Sequence, residues 1–292
     1  MEGSGAVNGL GKLKAHLDNI AFSHSVFALP FAYMGAVLAS GGLPPWRDLF
    51  WITLAMVGAR SSALAINNLV DLKYDRIHPR FTKRPLVSGV IARWEAVTFI
   101  VGSLAVFLLA ASRLHPVCLR LAPLAIVPFV IYPYMKRISW TCHLVLGLAL
   151  ACAPVGAWLA VRGDISLAAI VLGTAVAIWI AGFDVIYGCL DVDFDRAQGL
   201  HSMPVRFGID QALVLAKLMH SLSISGFIAV GVMLGLGWPY FTGVLLAAGV
   251  LVYQHTIVSA RNLSAVTQKY FMRNGLVSIF VFLFTLISLE LR

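Results

Sequence analysis

Nine apolar stretches, each close to the length a helix needs to cross a bilayer, divide this chain of 292 residues. They run near 20–40, 49–70, 94–112, 117–135, 141–161, 166–188, 211–236, 239–259 and 271–290. A chain that is 60% hydrophobic and 12% charged has too little polar surface to cover a water-soluble globule of this size. The expected fold is all-α and polytopic, with about nine transmembrane helices forming one intramembrane domain over residues 1–292.

The polar arm before the first stretch, MEGSGAVNGLGKLKAHLDN, carries no small-residue cleavage site, so the first apolar segment is expected to stay in the protein. Pro30, Pro123, Pro128 and Pro154 lie inside apolar stretches and mark candidate kinks, since neighbouring helices can cover the carbonyls that proline frees. Cys118, Cys142, Cys152 and Cys189 show no paired spacing and read as small apolar fillers, not as zinc ligands or a disulfide framework.

The net charge of +9 does not point to nucleic acid, because the basic residues fall between the apolar stretches and form no stripe on a soluble domain. With a cytoplasmic N-terminus, Lys12, Lys14 and the basic segments Lys73–Arg93, Lys136–Arg137, Arg196–Lys217 and Arg261–Arg273 all lie inside. Arg47, Arg113, Arg120, Arg162 and Arg292 lie outside. This bias predicts a multi-pass protein of the cell membrane whose two most polar interruptions, 71–93 and 189–210, face the cytoplasm.

Each of those interruptions follows a stretch that ends in an acidic motif, which suggests a distant internal duplication. Asn67, Asp71 and Asp75 are spaced by four and stack along one helical stripe. Asp184, Tyr187, Gly188, Asp191 and Asp195 follow a second stripe, with Asp193 turned elsewhere. Carboxylates gathered beside a bilayer repel one another unless a cation sits among them. Two opposed stripes of hard oxygen donors, with no His or Cys at ligand spacing, suit Mg2+ better than zinc.

Arg60 lies seven residues before Asn67 on the same stripe, and a guanidinium at membrane depth needs a polar interior; contact with substrate and contact with a buried acceptor are both open to it. Arg80, Lys83, Arg84, Lys136 and Arg137 can neutralise a diphosphate or simply anchor the cytoplasmic face, with Arg84 and Lys136 favoured for substrate contact. His24, His143 and His201 read as packed or capping residues more than as a catalytic pair, although His201 sits where an anion-binding loop is useful.

The motifs NxxxDxxxD (Asn67, Asp71, Asp75) with RFTKRPLVSG, and DxxYxxxDxxxD (Asp184, Tyr187, Asp191, Asp195) with GLHSMPVRFG, resemble the two signatures of the UbiA superfamily of intramembrane aromatic prenyltransferases. FSHSVFALPFA and YPYMKR also look like family segments, so the resemblance covers nearly the whole chain. It implies a helical bundle around a central cavity, capped by the two motif loops. It further implies two magnesium ions held through Asn67, Asp71, Asp75, Asp191 and Asp195, with Asp184 near the acceptor and Arg84 and Lys136 on the diphosphate. Asp184, Asp191 and Tyr187 are the candidate catalytic residues; Arg60, Arg80, Lys83, Arg84, Lys136 and His201 are the candidates for binding substrate. Tyr132, Tyr134 and Tyr187 could face an allylic cation.

Asn68 stands where many members carry an Asp, RFTKRPL displaces the usual Thr by one, and His201 replaces a frequent Lys, a form closer to the branch for menaquinone-type precursors. The implied activity is Mg2+-dependent transfer from a polyprenyl diphosphate to a ring carbon of 4-hydroxybenzoate or a related hydroxylated aromatic acid, in quinone biosynthesis. A dihydroxynaphthoate, haem or a non-aromatic lipid are other acceptors. A membrane transporter is the reading from a different class, and the boundary position of the acidic residues counts against it.

Overall fold

The computed structural model describes residues 9–20 and 29–292. His24 and most of FSHSVFALPFA lie outside the described residues. The elements in chain order are α1 (Gly9–Asn19), α2 (Leu29–Ser40), α3 (Trp46–Val70), α4 (Leu72–Asp75), α5 (Arg93–Arg113), α6 (Pro116–Met135) and α7 (Cys142–Arg162). They continue with α8 (Leu167–Gly188), α9 (Val192–Ala197), α10 (Met203–Phe207), α11 (Ile209–Met233), α12 (Trp238–Ile257) and α13 (Gln268–Glu290). Among the described residues the only strand-like pairing is an isolated bridge between Ser259 and Asn262.

Among the described residues, eight helices are long and apolar enough to cross a membrane. The remaining expected span, 20–40, is represented among the described residues by α2, whose 12 residues reach roughly 18 Å, short of a hydrocarbon core of about 30 Å. The protein is an integral, multi-pass membrane protein. Large apolar side chains such as Val101, Leu124, Leu218, Leu245 and Val252 stand exposed on its outer helices, where lipid replaces water.

Successive helices pack side by side: α3 on α5, α5 on α6, α6 on α7, α7 on α8, α8 on α11, α11 on α12 and α12 on α13, after which α13 meets α2 and closes the order. Lipid supplies no hydrophobic drive between helices, so close backbone approach matters, and glycine provides it. A Cβ on Gly58 of α3 would stand 2.7 Å from the Ser103 carbonyl of α5, and Gly147 of α7 likewise lies against the Ala177 carbonyl of α8. Phe31, Trp179 and Phe227 join α2, α8 and α11, with the two phenyl rings stacked at 5.6 Å.

Local signals set the helix ends. The Ser166 hydroxyl accepts the Ala169 N–H at the start of α8, and Gly163 ends α7 in a left-handed conformation at φ 76°. α6 carries Pro123, Pro128 and Pro133 within its length and delivers Lys136 and Arg137 just past its end.

Candidate active site

The first motif crosses a joint between helices. α3 stops at Val70, yet Asp71 N–H still donates to the Asn67 carbonyl at 2.9 Å and Asp75 N–H to the Asp71 carbonyl at 2.9 Å, so the stripe keeps its helical register into α4. The second motif crosses a similar joint, with a single 3₁₀ turn at Cys189–Asp191 between α8 and α9. Both joints open on one pocket, lined by Asp71, Asp75, Asp191 and Asp195 together with Tyr74, His78, Phe81, Lys136, Arg137, Phe194 and Leu200.

Each of the four carboxylates is held by a cation. Arg84 Nη1 donates to Asp75 Oδ2 at 2.5 Å and to Asn68 Oδ1 at 3.2 Å, with its guanidinium 3.9 Å above the Phe81 ring. Arg137 Nη2 donates to Asp71 Oδ1 at 2.9 Å and to the Val70 carbonyl at 3.0 Å. Arg80 Nη1 reaches from the first loop to Asp191 Oδ1 at 2.6 Å, and Lys136 Nζ lies 3.2 Å from Asp195 Oδ2. The second loop is tied to the same place by the backbone, since His201 N–H donates to the Lys136 carbonyl at 2.6 Å.

Burial pushes the Asp71 carboxyl up to about 6, with Arg137 pulling the other way. Asp75 is raised by burial in the same manner, opposed by Arg84. Burial opposes the charge on Lys136, but Asp195, Asp184 and Asp191 outweigh it and hold that ammonium at about 12. The pocket therefore contains acids that are costly to ionise and a lysine that stays charged.

Four carboxylates lining one pocket, all hard oxygen donors, form a set that fits Mg2+. Among the described residues no three His, Cys, Asp or Glu side chains are gathered tightly enough to cage an ion as they stand, because each acid turns to its own cation.

A sequence profile of the UbiA prenyltransferase family matches residues 28–276. The chain belongs to that family. A 4-hydroxybenzoate octaprenyltransferase from Aliivibrio fischeri (strain MJ11) is 32% identical over 246 residues, covering 84% of this chain and 85% of its own. The apo structure of a UbiA homolog from Aeropyrum pernix K1 aligns with a TM-score of 0.82 at 33% identity, covering 91% of this chain and 98% of that one. A UbiA homolog from Archaeoglobus fulgidus bound to DMAPP and Mg2+ shares the fold at a TM-score of 0.74 and 20% identity, covering 95% and 99%. The protein is accordingly a membrane-embedded prenyltransferase, and the transporter reading falls away.

Within this UbiA prenyltransferase the expected site residues separate. Asp71, Asp75, Asp191, Asp195 and Lys136 line the pocket, and Arg80 and Arg84 hold two of those acids. Asn67 does not line it; its carbonyl instead carries the helix register to Asp71. Arg60, on α3 and two turns before Asn67, also lies outside the lining. Lys83 is exposed to solvent, while the exposed His201 contributes its backbone to the loop clamp. Tyr187 donates its hydroxyl to the Thr267 carbonyl at 3.0 Å, packs its ring beside Phe183, and lies outside the pocket lining. Asp184 lies apart from the pocket lining, with its Oδ2 2.6 Å from His143 Nδ1.

His78 was not anticipated. It is buried between the rings of Phe81 and Phe194, at 4.5 and 4.2 Å, and its Nε2 stands 3.2 Å from Asp191 Oδ1 without hydrogen-bond alignment. Burial lowers its basicity. The available signal was its place three residues after Asp75, on the loop that must fold over the second motif.

Proposed function

We propose that the whole chain, as one catalytic domain, transfers a polyprenyl group from a polyprenyl diphosphate to a ring carbon of a hydroxylated aromatic acid. The leading acceptor is 4-hydroxybenzoate, and the product serves quinone biosynthesis. The observation that carries this reading is the convergence of both acidic motifs and four cationic side chains on one pocket at the end of an apolar bundle. The name of the A. fischeri relative supports the acceptor. The basic loops support placing the site on the cytoplasmic side.

Magnesium bound by Asp71, Asp75, Asp191 and Asp195 would neutralise the diphosphate as it leaves. Arg80, Arg84, Arg137 and Lys136 are the donors positioned to turn toward its oxygens, and their fixed charge favours the negative charge that develops as the allylic C–O bond breaks. The surrounding apolar helices keep water from the allylic cation. Tyr132, in the last turn of α6 and partly accessible, offers that cation an aromatic face. The ring carbon beside the acceptor's hydroxyl then supplies the electron pair for the new C–C bond, and the C–H bond at that carbon breaks, its proton passing to the released diphosphate and restoring the aromatic ring.

Purified protein given labelled polyprenyl diphosphate, Mg2+ and a panel of aromatic acids should release diphosphate and form C-prenylated 4-hydroxybenzoate. Transfer only to a dihydroxynaphthoate would move the acceptor. Transfer only to a non-aromatic lipid would overturn the aromatic assignment.

A further inference from the structure

We propose that His143 is a positioning residue for Asp184: it holds that carboxylate so that its second oxygen accepts a hydrogen bond from the ring hydroxyl of the acceptor. This rests on the prenyl-transfer reading above and names the group that recognises the acceptor.

His143 is fully buried on the first turn of α7. Its Nδ1 lies 2.6 Å from Asp184 Oδ2, and its Nε2 lies 3.3 Å from the backbone N of Met203. A backbone amide can only donate, so Nε2 must offer its lone pair and the ring's proton must sit on Nδ1. The imidazole is then neutral and donates to Asp184, leaving the carboxylate charged and free at its other oxygen. The two partners differ in exposure: the imidazole side chain is 1% accessible and the carboxylate 29%. The ring is packed into protein, while the acid faces open space.

Asp184 also differs from the four pocket carboxylates. Among the described residues none of the arginines or lysines makes an ion pair with it, so a neutral donor orients it without cancelling its charge. It precedes Asp191 by two helical turns on α8, roughly 10 Å deeper in the bundle. A donor whose diphosphate lies among Asp71, Asp75, Asp191 and Asp195 would place its reacting carbon below them, toward the level of Asp184. A neutral phenol suits such a lone carboxylate, whereas the acceptor's own carboxylate would be repelled. The acceptor is therefore oriented hydroxyl-first. Through Met203 the same imidazole joins Asp184 to the second loop, whose His201 N–H holds the Lys136 carbonyl.

The test is steady-state kinetics with both substrates varied, using purified full-length protein, 4-hydroxybenzoate and a polyprenyl diphosphate. His143→Leu should raise the KM for 4-hydroxybenzoate about tenfold, the scale of one lost hydrogen bond to a charged group, and leave the KM for the prenyl diphosphate within about twofold. His143→Gln, whose amide can donate to Asp184 while its carbonyl accepts from Met203, should recover the acceptor KM to within about threefold of wild type. Should His143→Leu fail to purify as a folded protein, Asp184→Asn carries the same acceptor-selective expectation. An unchanged acceptor KM, an equal rise in both KM values, or a Gln variant as poor as Leu would overturn the role of His143 alone. Wild-type protein that prenylates no aromatic acid would overturn the functional reading and this proposal with it.

Discussion

The two acidic motifs look like copies of one device, but they are supplied with positive charge in different ways. The first motif finds Arg84 in its own loop and Arg137 just past α6. The second loop contributes no cation to either acid row in these pairs: Asp191 takes Arg80 from the first loop, and Asp195 takes Lys136 from the end of α6. What the second loop adds is Phe194, Leu200 and a backbone clamp on Lys136. The resemblance between the halves thus covers the acids and not the bases, and closing the first loop over the second motif is what completes the site.

The largest effect should come from the feature the two motifs share. Asp71→Ala and Asp191→Ala should each lower Mg2+-dependent transfer by at least about a hundredfold while the protein still purifies folded in detergent. Normal turnover by either variant would show that one row is dispensable.

The asymmetry itself is probed by Arg80→Ala, which removes the bond between the loops. It should raise the KM for prenyl diphosphate about tenfold, the loss of a charge-assisted contact, and should also weaken the response to Mg2+. If the halves were independent, Arg80→Ala would leave the Mg2+ response unchanged.

A smaller effect separates the rows by pH. Asp71 titrates near 6 because burial raises it and Arg137 restrains the rise. Below that value the acid is protonated and cannot serve as a ligand, so activity should fall as pH drops through about 6. Arg137→Gln removes the restraint and should move this acidic limb to higher pH, as read from kcat/KM profiles between about pH 5 and 8. An unmoved limb would assign it to another group. Least of all, Lys83→Ala should change turnover by less than about twofold, since the side chain is exposed and makes no ion pair among the described residues.

Much of this was legible before any coordinates. Apolar stretch length located the helices, and the spacing of four placed Asp71 above Asp75 because an α-helix repeats that way. Even so, the stripe had to survive a joint at Val70, which residue spacing cannot reveal. Residues joined across the bundle were hidden: Arg80 and Asp191 are 111 positions apart, and His143 and Asp184 are 41. Periodicity gave Tyr187 a face, whereas the bond from its hydroxyl to the Thr267 carbonyl, 80 positions on, could not be read from spacing. Of the span expected at 20–40 the described residues show α2, and 21–28 lie outside them.

The contact of Gly147 with the Ala177 carbonyl has a reach beyond packing. Gly147 lies one turn along α7 from His143, and Ala177 two turns along α8 from Asp184. The absent methyl therefore sets the gauge at which imidazole and carboxylate meet. A methyl restored at 147 would prise the two rails apart and disturb acceptor recognition without altering any polar group.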